Sequence, residues 1–262
     1  MVANRRLFQF LVLLSVGLNL SLAHAVPTSV TLTGNLQDEL GCPGDFDPAC
    51  SLTHLNYVFD DDVWQATFDL PVGAWEYIAA IDDSFAERYG ANATPGGANI
   101  ALDLAVATTV RFYYDDKSHW ITDNVNSVIA TLVGDFQSEL GCSGDFDPGC
   151  LRSWLQDPDG DGIYRFLTTG IPVGSYSVLV VHNEDFGEVT VAQTGFVVPA
   201  SDTLMCFTYD PGRMSLAIVS GSCDVRSVPV PAPIALLALG MFCLGRRRST
   251  AVPWRRHTVS AR

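Results

Sequence analysis

The chain has 262 residues, of which 48% are hydrophobic and 17% charged, and its formal net charge at pH 7 is −14. This composition excludes an intrinsically disordered chain, a collagen-like chain and a coiled coil, and it suffices for one large or two small domains. The acidic balance, with Lys117 as the only lysine, argues against nucleic acid as a partner, because phosphate binding requires clustered Lys and Arg side chains.

The charge is unevenly distributed along the chain. All 29 acidic residues lie between Asp38 and Asp224, whereas eight of the 15 basic residues lie near the two ends, which leaves 15 − 8 = 7 in the middle. The middle of the chain therefore carries 7 − 29 = −22. A partner of this middle region would meet a strongly acidic protein.

The first 25 residues have the layout of a secretory signal peptide. Arg5 and Arg6 precede an apolar run from Leu7 to Leu22, and Ala23-His24-Ala25 supplies small residues at the −3 and −1 positions of a cleavage site. Residues 1–25 are therefore predicted to be removed; a retained membrane anchor is the alternative. Export across the inner membrane implies an oxidising compartment, where cysteines pair as disulfides.

A fifteen-residue sequence occurs twice, displaced by 100 residues: LQDELGCPGDFDPAC at 36–50 and FQSELGCSGDFDPGC at 136–150. Equivalent residues of the two copies lie 101 positions apart before Asp82 and 95 positions apart after Thr109. The second copy is therefore shorter by 101 − 95 = 6 residues in the region that corresponds to Asp82–Thr109. Repeats of this length are whole small domains, because solenoid repeats are about 20–50 residues long. We place copy one at 26–122 and copy two at 127–221.

Both copies show the pattern of short β-strands, in which segments rich in β-branched and aromatic residues are bounded by Gly, Pro or Asp. The predicted strands are Val30 to Thr33, Val63 to Leu70, Trp75 to Ile81 and Thr109 to Tyr114 in copy one, and Val128 to Leu132, Ile163 to Thr168, Tyr176 to Val181 and Leu204 to Tyr209 in copy two. The predicted fold class is all-β: two tandem immunoglobulin-like antiparallel β-sandwich domains, with hydrophobic helices at the termini. Single helical turns are expected after Asn35 and Asp135 as N-caps, ended by Gly41 and Gly141.

Six of the seven cysteines are predicted to form disulfides. Cys42–Cys50 and Cys142–Cys150 flank the repeated Gly-Asp-Phe-Asp-Pro loop, and closing a loop of this length contributes roughly 2.5 kcal/mol in the chain-entropy model. A metal site is the alternative, although no clustered His or second nearby Cys pair supports it. Cys206–Cys223 is a third predicted bridge, and Cys243 is left over in the apolar segment near the C-terminus.

The C-terminal region has three parts: a Pro-rich stalk at 222–233, a hydrophobic segment at 234–245 and a basic tail at 246–262. The hydrophobic segment is short for a full membrane span, which requires about 20 residues, and arginines on its far side would hold that end in the cytoplasm. The Pro-x-Pro motif, apolar segment and Arg cluster resemble the PEP-CTERM sorting signal of Gram-negative bacteria. The resemblance implies membrane anchoring or cell-surface delivery with exosortase-like processing; a plain single-pass tail is the alternative.

The repeated Glu-Leu-Gly-Cys-x-Gly-Asp-Phe-Asp-Pro-x-Cys unit, together with Tyr89-Gly90-Ala91-Asn92 and Pro95 to Ile100 downstream, resembles the all-β accessory module of bacterial pullulanases and amylopullulanases, numbered twenty-five in the X series. The resemblance covers both copies. It implies an immunoglobulin-like sandwich without catalytic residues and a role in binding α-glucan. Copy two lacks the Gly-rich stretch from Tyr89 to Ile100.

Aromatic side chains are the predicted contacts for a polysaccharide, because exposed rings on a β-sandwich can stack on sugar faces. The candidates are Trp64, Trp75, Tyr77, Tyr89, Trp120, Trp154, Tyr164 and Tyr176. A ring within a strand is more often a core side chain than a binding platform, which is the alternative interpretation. Trp120 and Trp154 have no aromatic counterpart in the other copy, so we expect them to have local, exposed roles.

Asp157, Asp159 and Asp161 form the Asp-x-Asp-x-Asp-Gly start of a calcium loop, but Thr168 stands at the twelfth position, where a bidentate Glu is expected. An acidic hairpin turn is the alternative interpretation. No other cofactor is predicted.

Catalysis is not predicted, because the three mature-region histidines have no zinc spacing and the chain lacks a nucleophile elbow and a phosphate loop. We therefore expect an exported, envelope-associated, non-catalytic protein that binds α-glucan or a related polysaccharide. The alternative is a structural or adhesive surface protein whose modules are disulfide-pinned spacers stabilised by calcium.

Overall fold

The structure is a computed structural model that describes residues 26–221 and 223. Within these residues the chain forms antiparallel β-sheets joined by turns and four short 3₁₀ helices, which confirms the all-β prediction. No helix among the described residues is long and apolar enough to cross a bilayer. The predicted signal peptide, Cys243, the hydrophobic C-terminal segment and the terminal helices lie outside the described residues.

Copy one contains eight strands: β1 (Val30–Gly34), β2 (His54–Val58), β3 (Val63–Leu70), β4 (Gly73–Ile81), β5 (Ser84–Tyr89), β6 (Ile100–Leu104), β7 (Thr108–Asp115) and β8 (Trp120–Asp123). Strand β4 pairs with β1 on one side and with β5 and β6 on the other, and β3, β7 and β8 pair in that order. Strand β2 joins the two groups, because its first half pairs with β1 and its second half with β3.

Copy two contains seven strands: β9 (Ala130–Gly134), β10 (Trp154–Leu155), β11 (Tyr164–Thr168), β12 (Gly174–His182), β13 (Asp185–Val198), β14 (Met205–Asp210) and β15 (Ser215–Ser220). They form two sheets, with the orders β10-β9-β12-β13 and β11-β14-β15. The 3₁₀ helices of the two copies are Ser51–Thr53, Ala91–Ala93, Ser138–Leu140 and Leu151–Ser153.

The length difference between the copies has one structural cause. In copy one, β5 and β6 both pair with β4, and the chain between them leaves the sheet at Gly90 and returns at Asn99. In copy two the equivalent strand β13 runs through 14 residues without leaving β12. The Gly-rich stretch of copy one is therefore an excursion between two halves of one strand.

The repeated cysteine motif forms the same loop in both copies, and the three predicted disulfides are present, which confirms those pairings. A fully buried glutamine holds each loop to the start of the motif. Gln37 Nε2 donates to Asp47 O at 2.9 Å and Gln37 Oε1 accepts from Asp47 N at 2.8 Å. Gln137 makes the same pair of bonds with Asp147, at 2.8 and 2.9 Å. The spacing repeated in both copies thus places the side-chain amide of the glutamine against the backbone amide of the loop.

The helical turns expected at the start of each motif differ from prediction. Gly41 and Gly141 do adopt the left-handed conformation that ends a helix, with φ of 93° and 96°. Only copy two has a 3₁₀ helix there, and neither Asn35 nor Asp135 caps it. Asn35 Oδ1 and Asp135 Oδ1 instead accept hydrogen bonds from the backbone N–H of β4 and β12, each at 2.7 Å.

Each copy has a hydrophobic core, and the second core extends beyond its own copy. The copy-one core is built from the inner faces of its strands and includes Tyr77, Phe112 and Tyr114. The copy-two core includes Phe136 and Phe207 and also takes in side chains of copy one. The two copies therefore meet through buried apolar contacts at a junction.

Candidate functional site

Most of the predicted polysaccharide-binding rings lie inside the protein. Six of the eight are buried: Trp64, Tyr77, Tyr89, Trp120, Trp154 and Tyr164. These rings therefore occupy core positions, as the alternative interpretation of strand aromatics has it, and a buried face cannot stack on a sugar in solvent. Whether any of the eight contacts a polysaccharide stays a prediction.

Trp120 and Trp154 are the centre of the junction, contrary to the exposed roles expected of them. Their exposed fractions are 6% and 2%, and their ring centroids lie 4.8 Å apart. Trp120 also packs edge-to-face on Tyr164, and Trp154 packs on Tyr113. The two rings come from different copies, so each has its aromatic partner across the junction instead of at the equivalent position of the other copy.

Hydrogen bonds and an ion pair surround this aromatic centre. Asp61 Oδ1 accepts from the backbone N–H of Leu151 at 3.1 Å, and Arg152 Nε donates to Asp60 O at 2.9 Å. On another side, Arg111 Nη1 pairs with Glu184 Oε1 at 2.8 Å. Burial raises the pKa of Glu184, and Arg111 partly offsets this effect. The apolar centre and its polar surround hold the two copies in one arrangement.

The Gly-rich excursion of copy one also reaches the junction. Ala93 packs against the copy-two core. Asn92 lies close to Gly160 of copy two: a Cβ atom on Gly160 would be 2.7 Å from the Asn92 side-chain oxygen. A small hollow of about 190 Å³ is lined by the excursion, β8 and the turn at Asp157–Gly160. The excursion, which copy two lacks, therefore contacts the neighbouring module.

An open hollow of about 470 Å³ lies where the two copies meet, and we call it the junction hollow. Copy one contributes Asp115, Lys117 and Ser118, and copy two contributes Leu151, Arg152, Trp154, Gln156, Pro158, Asp159, Arg165, Phe166 and Leu167. Its size falls within the range of small-ligand sites, which is roughly 300–1,000 Å³. Its wall combines apolar side chains with hydrogen-bonding groups, as ligand pockets do.

A second hollow of about 410 Å³, the copy-one hollow, adjoins the first at Lys117, which lines both. Its other lining residues are Val26, Tyr57, Asp62, Trp64, Asp116 and His119. Tyr57 is partly exposed and donates a hydrogen bond to Asp62, which raises the pKa of Tyr57 to about 12. Burial alone would raise the pKa of Asp62, but the bonds from Tyr57 and Lys117 lower it. The hollow therefore keeps a charged carboxylate beside a protonated phenol at neutral pH.

The remaining two predicted rings, Trp75 and Tyr176, occupy equivalent positions and are half-buried. Each ring lies over the glycine two residues before it, Gly73 or Gly174, and the Trp75 indole N–H donates to Pro71 O at 3.1 Å. Of the eight predicted rings, these two therefore present the most surface to solvent.

The predicted calcium residues form an acidic hairpin turn. Asp157, Asp159 and Asp161 bring carboxylate oxygens within 4.8 Å of one another. The Asp161 carboxylate receives two hydrogen bonds from Arg165, at 2.7 and 3.1 Å, and these bonds lower the pKa of Asp161. Asp157 accepts the backbone N–H of Asp161 and of Gly162. Arg165 thus pairs with Asp161 and, at 3.5 Å, with Asp159, so a cation bound by the three carboxylates would compete with this guanidinium.

Among the residues that line the two hollows, sequence reasoning named Trp64, Trp154 and Asp159 and missed the others. Of the six Lys and Arg residues within the described range, three line the junction hollow: Lys117, Arg152 and Arg165. The scarcity of basic residues in an acidic chain was the only sequence feature that set these three apart. Their position around one hollow depends on how the two copies pack together. Tyr57 was not among the predicted rings, although it lies in an exposed part of β2.

The fold and the junction define a protein built from two copies of one all-β module that share a buried interface. Both copies match the family described as the Pullulanase X25 domain, over residues 29–121 and 129–215, and the chain belongs to this family. The matches are to an accessory domain and not to a catalytic one.

Amylopullulanases are among the relatives of the chain. It is 32% identical over 101 residues to the enzyme of Thermoanaerobacterium saccharolyticum, a match that covers 38% of this chain and 8% of that protein. It is also 32% identical over 95 residues to the enzyme of Thermoanaerobacter thermohydrosulfuricus, with 36% and 6% covered. The pullulanase from Bacillus acidopullulyticus aligns over 74% of this chain and 28% of its own, at 15% identity and a TM-score of 0.35. The chain thus spans a small part of the length of these relatives.

Proposed function

We propose that the chain is an exported, envelope-associated, non-catalytic protein that binds α-glucan or a related polysaccharide through its two X25 modules. The observation that carries the proposal is that both modules match the X25 family, whose relatives here are amylopullulanases. By name these enzymes act on starch and pullulan. Two open hollows with mixed apolar and hydrogen-bonding walls give such a ligand room to bind.

Export is supported by the signal-peptide layout and by the cysteine chemistry. Three disulfides persist only in an oxidising compartment, such as the periplasm or the cell exterior. The hydrophobic segment at 234–245 and the Arg cluster after it would hold the protein at the membrane until an exosortase-like enzyme processes it. Mass spectrometry of the protein from the native envelope tests both ends: a start at Val26 and a C-terminus before 246 are expected, and intact ends contradict the proposal.

Affinity electrophoresis of the purified chain tests polysaccharide binding directly. We expect migration to be retarded in gels that contain pullulan, amylopectin or glycogen, and unchanged in gels that contain a β-glucan of similar viscosity. Equal migration in all of these gels would show that the α-glucan proposal is wrong. A product released from the same polysaccharides, and lost on substitution of one Asp or Glu, would show that the protein is an enzyme.

A second candidate function is that of a rigid, disulfide-pinned spacer in a structural or adhesive surface protein. The buried aromatic junction favours it, because flexible tandem modules do not need a shared core. Calcium would bind at Asp157, Asp159 and Asp161 in this role. A large rise in the melting temperature on addition of calcium, without any response to oligosaccharides, would favour the spacer; a response to oligosaccharides alone favours binding.

A further inference from the structure

We propose that one α-glucan chain binds across the junction, in a groove formed by the junction hollow and the copy-one hollow together. This inference rests on the proposed function and locates its binding site. It replaces two equivalent ring platforms, one on each module, by a single composite site. We call the two hollows together the junction groove.

The first step is that the two hollows adjoin each other. Lys117 lines both hollows, so they are neighbours on one surface. Their volumes of about 470 and 410 Å³ are each in the range of small-ligand sites, and an oligosaccharide of several sugar units is extended enough to occupy both. A single sugar unit would fill only a part of one hollow. The shape therefore favours a chain over a small molecule.

The second step is the charge of the lining. The groove is lined by three cations, Lys117, Arg152 and Arg165, and by four carboxylates, Asp62, Asp115, Asp116 and Asp159. Their balance is 3 − 4 = −1. These cations are already paired, for example Lys117 Nζ with Asp62 Oδ2 at 2.9 Å. An anionic ligand would meet no excess positive charge, whereas a neutral polyhydroxyl ligand can accept from the cations and donate to the carboxylates.

The third step is that each hollow contains a buried indole whose N–H has no hydrogen-bond partner among the described residues. Trp154 lines the junction hollow and Trp64 lines the copy-one hollow, and both side chains are more than nine-tenths buried. A buried donor without a partner is destabilising by about 1–3 kcal/mol, so most native structures avoid it. Both residues line adjoining hollows, so a ligand bound there would change the surroundings of both indoles.

The fourth step is that the groove requires both modules. The junction hollow takes Asp115, Lys117 and Ser118 from copy one and the rest of its wall from copy two. The buried contacts between Trp120 and Trp154 fix the two walls relative to each other before a ligand arrives. A site that is already formed loses less conformational entropy on binding. One site per chain is therefore expected, although the chain has two modules.

Isothermal titration of the purified chain with maltoheptaose tests the stoichiometry and the location. We expect one maltoheptaose per chain. We also expect the affinity to fall about fivefold or more for each of Tyr57→Ala, Lys117→Ala and Leu167→Ala. Tyr57 lines the copy-one hollow, Lys117 lines both hollows and Leu167 lines the junction hollow. The matched controls Phe186→Ala, Arg213→Ala and Val219→Ala remove exposed side chains of similar type outside the groove and should leave the affinity unchanged.

Indole N–H resonances in the ¹⁵N NMR spectrum give a second measurement that needs no variant to fold. We expect maltoheptaose to shift the Trp64 and Trp154 signals, whereas the Trp75 signal, whose N–H is bonded to Pro71 O, stays in place. Two bound molecules per chain, with losses at Trp75→Ala and Tyr176→Ala only, would overturn the composite site and leave glucan binding intact. The absence of any binding by the wild-type chain would overturn the proposed function as well.

Discussion

Gln37 and Gln137 show how a single buried side chain can organise the repeated motif. Each is fully buried, and its side-chain N–H and C=O groups both bond to the backbone of the Asp ten residues later. A second donor bond from Gln37 reaches Thr53, and one from Gln137 reaches Ser153. These bonds tie the loop to the helical turn that follows it, so the loop has one conformation in both copies.

Replacement of this glutamine should destabilise the fold more than loss of one hydrogen bond would suggest. Gln137→Leu keeps the volume but leaves the backbone N–H of Asp147 without its partner, and an unsatisfied buried group costs about 1–3 kcal/mol. Gln193→Leu, at an exposed position of β13, is the matched control and should change the free energy of unfolding by less than about 0.5 kcal/mol. Urea denaturation of both variants measures the difference, and equal effects would contradict the role of Gln137.

His182 gives the fold a predicted weakness at acidic pH. Burial lowers the pKa of His182 below its ordinary value of 6.5, and the Glu188 carboxylate offsets only part of this effect. Its Nε2 lies 2.7 Å from Tyr209 Oη, which also contacts Thr190. Below pH 6.5 the unfolded chain therefore binds more protons at this residue than the folded chain, and the stability falls as the pH falls toward the folded pKa.

The variant His182→Gln isolates this effect, because its amide can bond to Tyr209 and does not titrate. Between about pH 7 and pH 5 the melting temperature of the wild-type chain should fall further than that of the variant. Thermal unfolding followed by circular dichroism across this range measures the difference. Parallel curves for the two proteins would show that His182 does not set the acid response.

At the residue scale, the sequence allowed the disulfides to be predicted but not the sites of the aromatic rings. Cys42 and Cys50 lie eight residues apart in one loop, so proximity along the chain determined their pairing. Trp120 and Trp154 instead meet across the junction, and nothing in the periodicity of β8 or β10 indicates a partner in another module. The sequence showed that Trp120 and Trp154 lack aromatic counterparts in the other copy. The structure shows that this difference reflects an asymmetric interface between the modules.

Close approach of two strands explains one glycine in each copy. Gly34 ends β1 and Gly134 ends β9, and a Cβ on either would lie 2.0 or 2.1 Å from a carbonyl oxygen of the neighbouring strand. The motif also contains Gly44 and Gly144, where a Cβ would meet nothing within 4 Å. The chain therefore provides its own control for the effect of a methyl group.

Gly134→Ala should be strongly destabilising and Gly144→Ala nearly neutral. The first substitution drives a Cβ into the backbone of β12, and such overpacking costs about 1–3 kcal/mol or more. The second should change the free energy of unfolding by less than about 0.5 kcal/mol. Differential scanning calorimetry of Gly34→Ala and Gly44→Ala repeats the comparison in copy one. A neutral Gly134→Ala variant would mean that β9 and β12 can separate without cost.

At the element scale, the repeat made four strands of each copy predictable, because each segment had to fit the same pattern twice. They are β1, β3, β4 and β7 in copy one and β9, β11, β12 and β14 in copy two, whereas the other seven strands were not predicted. The excursion at 90–99 was visible only as extra Gly-rich residues, and its purpose depends on the Asp157–Gly160 turn of the other copy. The same holds for Lys117, Arg152 and Arg165, which lie in different elements and converge only after docking. What the sequence pattern could not supply was the relative placement of two folded modules.

The features that distinguish the copies from each other converge on the junction. Trp154 stands where copy one has His54, and Trp120 stands where copy two has Ser215, at displacements of 100 and 95 residues. The two modules present different faces to each other, so the interface is heterologous and each face can be adapted separately. Divergence at these positions therefore converts two similar modules into one asymmetric unit, and the junction groove exists only in that unit.

Loss of the junction should uncouple the unfolding of the two modules. Trp120 belongs to copy one but packs with the copy-two core, so Trp120→Ala removes contacts between modules while leaving the copy-one core intact. Removal of a buried Trp costs about 3–5 kcal/mol. Trp75→Ala, which removes a half-buried ring that packs within copy one, is the matched control. In calorimetry we expect one cooperative transition for the wild type and for Trp75→Ala, and two transitions for Trp120→Ala. A wild-type chain that already unfolds in two steps would show that the aromatic contacts do not couple the modules, and the preformed groove would then lose its physical basis.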